Sequence, residues 1–189
     1  MNLFTRSGFA IVAGLTFSLT YVGCSNTTTT ASDTARRSGY ADRATPTNNL
    51  SAADQDFANK AAQGGMAEVE LGKLARDRGA TTHVKDYGKM LVDDHTRMNN
   101  ELKDVASKEN ITLPTSVSSE QRQTIDRFAK LSGHQFDREF LKDSVKDHRD
   151  DIKEFEKEAS NGQDPALKSF ASNSLPALKK HLSMAERTR

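Results

Sequence analysis

The sequence predicts an all-α protein, a four-helix bundle with a long crossover between helices 2 and 3. Three observations predict it. Apolar residues recur at helical spacing through four long stretches between Ser51 and Ala185. No stretch alternates apolar and polar residues as a half-buried strand would. The first and last pairs of stretches are joined by short connections, whereas about 25 residues separate the second from the third.

Two segments precede the bundle. Residues 1–23 read as a signal peptide: Arg6 supplies the positive start, and the apolar run Phe9–Gly23 has the length of a secretory core. At 15 residues it is too short to span a bilayer comfortably. Cys24, the sole cysteine, follows Gly23 directly. Small residue then Cys resembles the lipobox of bacterial lipoproteins, although Tyr21 stands where that pattern has Leu. The expectation is lipidation at Cys24, and Ser25 resembles outer-membrane sorting. The other reading is an ordinary cleaved signal with an incidental thiol. Residues 24–50 are poor in large apolar side chains and rich in Thr, Ser and Ala, which predicts a flexible tether. Its mean reach is on the order of 28 Å.

The bundle domain is expected over residues 51–189. Ser51 caps the first helix, acids fill its first turn, and Gly79 stops it. Its inward stripe is Phe57, Ala61, Leu71 and Ala75, and Gly64–Gly65 invites close approach by a neighbour. The second helix runs from about Thr82 to Lys108, with Val84, Tyr87, Leu91, His95, Met98, Leu102 and Val105 inward. Pro114 lies in the loop that follows. Ser118 and Gln121 form a capping box for a short helix ending near residues 131–133. The third long helix covers about His134 to Ser160, with Leu141, Val145, His148, Ile152 and Phe155 inward, and Gly162 closes it. Asp164–Pro165 starts the fourth, which carries Leu167, Phe170, Ser174, Leu178, His181 and Ala185 on one face. Pro176 sits inside it, where a kink is expected. A crossover long enough to traverse the bundle makes helices 2 and 3 parallel, which is the ferritin-like topology.

Removing residues 1–23 leaves 26 basic and 26 acidic side chains. A net charge of zero argues against nucleic acid as a partner. Lipidation of Cys24 would leave no thiol for disulfide or metal chemistry.

Of five histidines, His83 and His134 fall near helix starts and are expected to be exposed. His95, His148 and His181 each sit on the apolar stripe of a different long helix, and Glu68 supplies an inward carboxylate on the first. At 1.5 Å per residue, Glu68 and His95 lie about 16 and 20 Å from the first hairpin turn. His148 and His181 lie about 18–20 and 24–26 Å from the second. All four are therefore expected near mid-bundle. A carboxylate and three imidazoles at one level suit a transition metal such as Zn, Fe or Cu. The competing reading is a structural polar layer in which Glu68 pairs with histidines and fixes helix register. Met98 and Met184 each follow an inward histidine by three residues: a thioether would favour copper, while core filler is the ordinary role. The pairs Asp143–Lys146, Asp150–Lys153 and Glu154–Lys157 read as a solvated face. No phosphate loop, nucleophile elbow or paired-cysteine motif occurs.

The stretches "FANKAAQGGMAEVELGKLA", "YGKMLVDDHTRMNNEL", "LSGHQFDREFLKDSVKDH" and "LKSFASNSLPALKKHLSMA" together resemble the bacterial domain-of-unknown-function family 4142. The resemblance covers about residues 52–187. It implies a ferritin-like, exported or outer-membrane protein, with Glu68, His95, His148 and His181 inside the family's recurring motifs, and no activity. The di-iron pattern of two Glu-x-x-His motifs is absent, because Val92, Val145 and Leu178 occupy the positions three before the inward histidines. Asp94, Asp137 and Asp147 lie at or beyond the edge of the inward arc and do not rebuild it. A di-iron oxidase is therefore not expected. The functional expectation is a periplasmic module anchored to the outer membrane, binding a metal or small ligand or serving in envelope stress. The alternatives are a metal-dependent redox enzyme using the same four residues, or a structural or partner-docking bundle.

Overall fold

The computed structural model describes residues 50–188. The expected signal peptide, Cys24 and nearly all of the expected tether lie outside these. Five helices follow in order: α1 (Ala52–Arg78), α2 (Thr82–Glu109), α3 (Ser119–Phe128), α4 (Gly133–Asn161) and α5 (Pro165–Thr188). The protein is an all-α helical bundle. Among the described residues the nearest thing to a strand is an isolated bridge between Gly79 and Gly133. No helix among them is long and apolar enough to cross a membrane.

Caps set the boundaries. Ser51 Oγ accepts from the Asp54 amide at 3.0 Å, and Thr81 Oγ1 from the Val84 amide at 3.3 Å. Ser118 and Gln121 form the expected reciprocal box, at 2.8 and 3.2 Å. Asp164 Oδ1 takes the amides of Ala166 and Leu167, with Pro165 at the first helical position. Asn110 ends α2 in the left-handed region at φ 54°. Helix α5 continues unbroken through Pro176.

Two buried aspartates fix how the helices run. Asp137 on α4 accepts from the amides of Ala80 and Thr81, in the α1–α2 turn, at 2.9 and 3.1 Å. Asp54 on α1 accepts from the amides of Gln163 and Asp164, in the α4–α5 turn, at 3.1 and 3.0 Å. So α4 begins where α2 begins, and α1 begins where α4 ends. Helices α2 and α4 are parallel, and the segment containing α3 returns the chain along the bundle. Asp137 is thus a cap for the neighbouring hairpin rather than a member of the polar interior.

The core falls into two apolar clusters. One gathers Leu71, Tyr87, Leu91, Phe128, Phe136, Phe140 and Val145. The other gathers Phe57, Met98, Leu102, Phe155, Phe170 and Leu178. His95, His148 and His181 each fall between a residue of the first cluster and a residue of the second along their own helices, so they form a polar layer between the clusters. The close approach expected at Gly64–Gly65 is found at Gly65, where an added Cβ would collide with the Asn99 side chain of α2, and a second, backbone one lies further along. A Cβ on Gly72 would lie 2.7 Å from the Gly88 carbonyl oxygen, and one on Gly88 would lie 2.6 Å from that of Gly72. These two glycines, together with Gly65, let α1 and α2 approach. On the solvated face, only Asp150–Lys153 of the three expected pairs forms, at 2.9 Å. Asp143 turns to Arg127, Glu154 to Lys60 and Lys146 to Asp150.

Glu158 shows what a misplaced charge does here. It is buried, its Oε1 has no partner, and its carboxyl group faces that of Asp54. Burial, then the charges of Asp54 and Asp164, push it up to about 7, with Lys168 acting the other way. The folded chain therefore holds this proton more tightly than the unfolded chain. The contribution to stability is complete below about 4.5 and is lost as pH rises toward about 7. Glu158→Gln keeps a neutral partner for Asp54. Urea midpoints across that range are expected to fall for the wild type and to fall less for the variant. Parallel curves would show that Glu158 does not carry the effect.

Candidate functional site: three converging imidazoles

Sequence spacing places His95 on α2, His148 on α4 and His181 on α5, and packing brings their rings together. The ring centroids are 5.9 Å apart for His95–His148, 5.2 Å for His95–His181 and 5.2 Å for His148–His181. One nitrogen from each lies within 4.8 Å of the other two. All three residues are at most 2% exposed.

Their outward-facing partners decide which nitrogens are free. His148 Nδ1 lies 3.0 Å from the Ser144 carbonyl oxygen. A carbonyl only accepts, so Nδ1 carries the proton and donates it. His181 Nε2 lies 2.9 Å from Asp94 Oδ2, and by the same reasoning Nε2–H donates to the carboxylate. The nitrogens left over, His148 Nε2 and His181 Nδ1, then face each other at 3.3 Å. In neutral rings both carry lone pairs and no proton lies between them. His95 Nε2 is buried with no hydrogen-bond partner.

Electrostatics keep the rings neutral. Burial, then the neighbouring His148 and His181, hold His95 well below the usual imidazole range. Burial, then His181, brings His148 down to about 3. Burial also lowers His181, although Asp94 pulls the other way. Burial raises Asp94, but hydrogen bonds from His181 and Arg97 outweigh it and hold the carboxyl below its ordinary value. Three neutral imidazoles, two of them anchored from behind by a carboxylate and a carbonyl, form a nitrogen donor set suited to transition metals. The anchoring extends one step further: Tyr87 Oη and Ser144 Oγ lie 2.6 Å apart, and Ser144 Oγ lies 3.4 Å from His148 Nδ1.

Glu68 is buried as expected but does not belong to the converging set. Its carboxyl group faces that of Asp147, within reach of a shared proton. Burial, then the charges of Asp147 and Asp151, raise it well above the usual carboxylate range. Burial, with Asp143 adding to it, raises Asp147 despite the interaction with Glu68. His83 and His134 are exposed, as expected. Met98 is buried beside the layer, while Met184 is half-buried. Asp94 is the residue that sequence reasoning left at the margin. Its signal was adjacency to His95 at the edge of the inward arc.

Fold and site together define an all-α bundle with a closed imidazole layer at its middle. The chain belongs to the family described as Domain of unknown function (DUF4142), whose model matches residues 40–188. No curated protein and no solved structure matches it.

Proposed function

We propose that this chain is an exported, lipid-anchored bundle of ferritin-like topology that holds a transition metal ion on His95, His148 and His181. The observation that carries the reading is the 3.3 Å approach of two unprotonated nitrogens, His148 Nε2 and His181 Nδ1. Without a cation or a shared proton between them, facing lone pairs repel. Two imidazole nitrogens on one tetrahedral zinc, each at 2.0–2.1 Å, would lie about 3.3–3.4 Å apart. The unpartnered His95 Nε2 supplies a third donor. A metal bound by three imidazoles keeps an open position and acts there as a Lewis acid or redox centre. The chain's own residues do the rest. Asp94 and the Ser144 carbonyl hold the outer nitrogens protonated, so the inner ones stay free. Burial keeps the rings neutral and excludes competing water. Zinc, iron and copper all accept imidazole, and Met98 beside the layer favours copper among them.

The arrangement of α2 and α4 supports the ferritin-like assignment, and the signal-like Phe9–Gly23 run with Cys24 supports export and lipid anchoring. Cys24→Ser is the test of the anchor: the protein is expected to leave the membrane fraction. The test of the metal site is elemental analysis of the purified full chain, with about one metal per chain expected. Asp94→Asn removes the charge behind His181 and is expected to weaken affinity by ~10–100-fold without abolishing it. Protein with neither bound metal nor measurable affinity for zinc, iron or copper would leave a structural polar layer as the better reading.

A further inference from the structure

A cleft of ≈ 470 Å³ lies between α1 and α4. Its inner wall includes His95, the histidine whose buried Nε2 lacks a partner, together with Met98. Its outer wall includes Asp147 and Asp151 of α4. Most of the other charges around it are already engaged. Lys60 pairs with Asp56 at 2.8 Å, Lys146 with Asp150 at 3.2 Å and Arg127 with Asp143 at 3.4 Å. Among the described residues Asp147 and Asp151 form no ion pair, and burial raises both carboxyls, Asp151 to about 8, so the wall offers carboxyl oxygens rather than fixed charge. Gly64 lies on the α1 side, and a Cβ added there would meet nothing within 4 Å. The opposite side of the histidine layer differs. There Asp94 is held by His181 and by Arg97, at 2.9 and 3.0 Å, and the guanidinium opposes an approaching cation.

We propose that the α1–α4 cleft is the port through which a hydrated divalent cation reaches the three histidines, past the carboxyl oxygens of Asp147 and Asp151. The inference rests on the metal-binding reading above and adds the route. The carboxyl oxygens exchange for part of the ion's water shell, and any proton they carry passes to water as the ion binds. His95, the donor on the cleft wall, is then the first imidazole it meets. No bond to carbon forms or breaks and no electron moves: the ion exchanges water for carboxylate oxygen, and then carboxylate oxygen for imidazole nitrogen.

The experiment follows Co²⁺ loading into the metal-free full chain by stopped-flow absorption, reading both the rate and the final ligand-field spectrum. Gly64→Leu fills the cleft from a position with open space around it. It is expected to slow loading by at least about 10-fold and to leave the final spectrum unchanged. Asp147→Asn with Asp151→Asn removes the carboxyls that exchange for the ion's water and is expected to slow loading several-fold, again with the final spectrum unchanged. Wild-type loading rates in both variants would overturn the port and leave the histidine site standing. A wild type that never develops an imidazole-ligated Co²⁺ spectrum would overturn the metal reading itself, and the port with it.

Discussion

His95→Leu is expected to abolish metal uptake and at the same time to stabilise the metal-free protein. The two effects come from one atom. His95 Nε2 is buried without a hydrogen-bond partner, and such a group costs about 1–3 kcal/mol. Leucine has a similar volume and no polar atom, and the site lies between Leu91 and Met98 on an apolar stripe. After allowance for imperfect packing, the net gain is about 1 kcal/mol. Adding metal reverses the order. A ligand at 1,000 times its dissociation constant stabilises the wild type by about 4.1 kcal/mol and leaves the variant untouched. Thermal midpoints with and without Zn²⁺ should therefore cross. If His95→Leu destabilises the metal-free chain, His95 has a structural role, and the site is a polar layer.

The second large effect is on folding. Phe140→Ala is expected to cost about 3–5 kcal/mol, a large share of the 5–15 kcal/mol that holds an ordinary domain together. Phe140 stacks on Phe136 with centroids 5.3 Å apart, meets Phe128 edge-on at 6.2 Å, and lies 5.9 Å from Tyr87. It joins α2, α3 and α4. Because Tyr87 hydrogen-bonds Ser144, whose carbonyl anchors His148, loss of the ring is also expected to weaken metal affinity. Urea unfolding measures the first effect and metal titration the second. A change below about 1 kcal/mol would mean that neighbouring side chains close the space.

Most of the helix framework was legible in the sequence because caps and stops are local. Ser51, Thr82, Ser118 with Gln121, and Asp164–Pro165 each mark a boundary within a residue or two of the observed one. The three histidines were legible for the same reason: helical period alone put each on a buried stripe. Glu68 was placed at the right depth and given the wrong neighbours. Rise per residue fixes height along the axis, and Asp147, which Glu68 faces, directly precedes His148. Height does not fix which seam a side chain enters, and Glu68 meets α4 rather than the histidines. Asp54 and Asp137 carry roles that helical period does not reveal. Asp54 read as a first-turn acid of its own helix and Asp137 as a residue at the edge of the inward arc, whereas each reaches across to another hairpin. Glycine was legible in part. Gly64–Gly65 stands out as a pair, and Gly65 does admit Asn99, whereas the second contact that needs glycine, Gly72 against Gly88, is split between two helices and leaves no local signal.

The exchange of caps between hairpins has a kinetic and thermodynamic consequence. Asp54 completes the turn of the α4–α5 hairpin, and Asp137 completes that of the α1–α2 hairpin. Neither half owns the group that finishes its own turn. A fragment ending at residue 110, or one beginning at residue 118, would lack its lock and is expected not to form on its own. The whole described domain should melt in a single step, with the two halves regaining structure only when mixed.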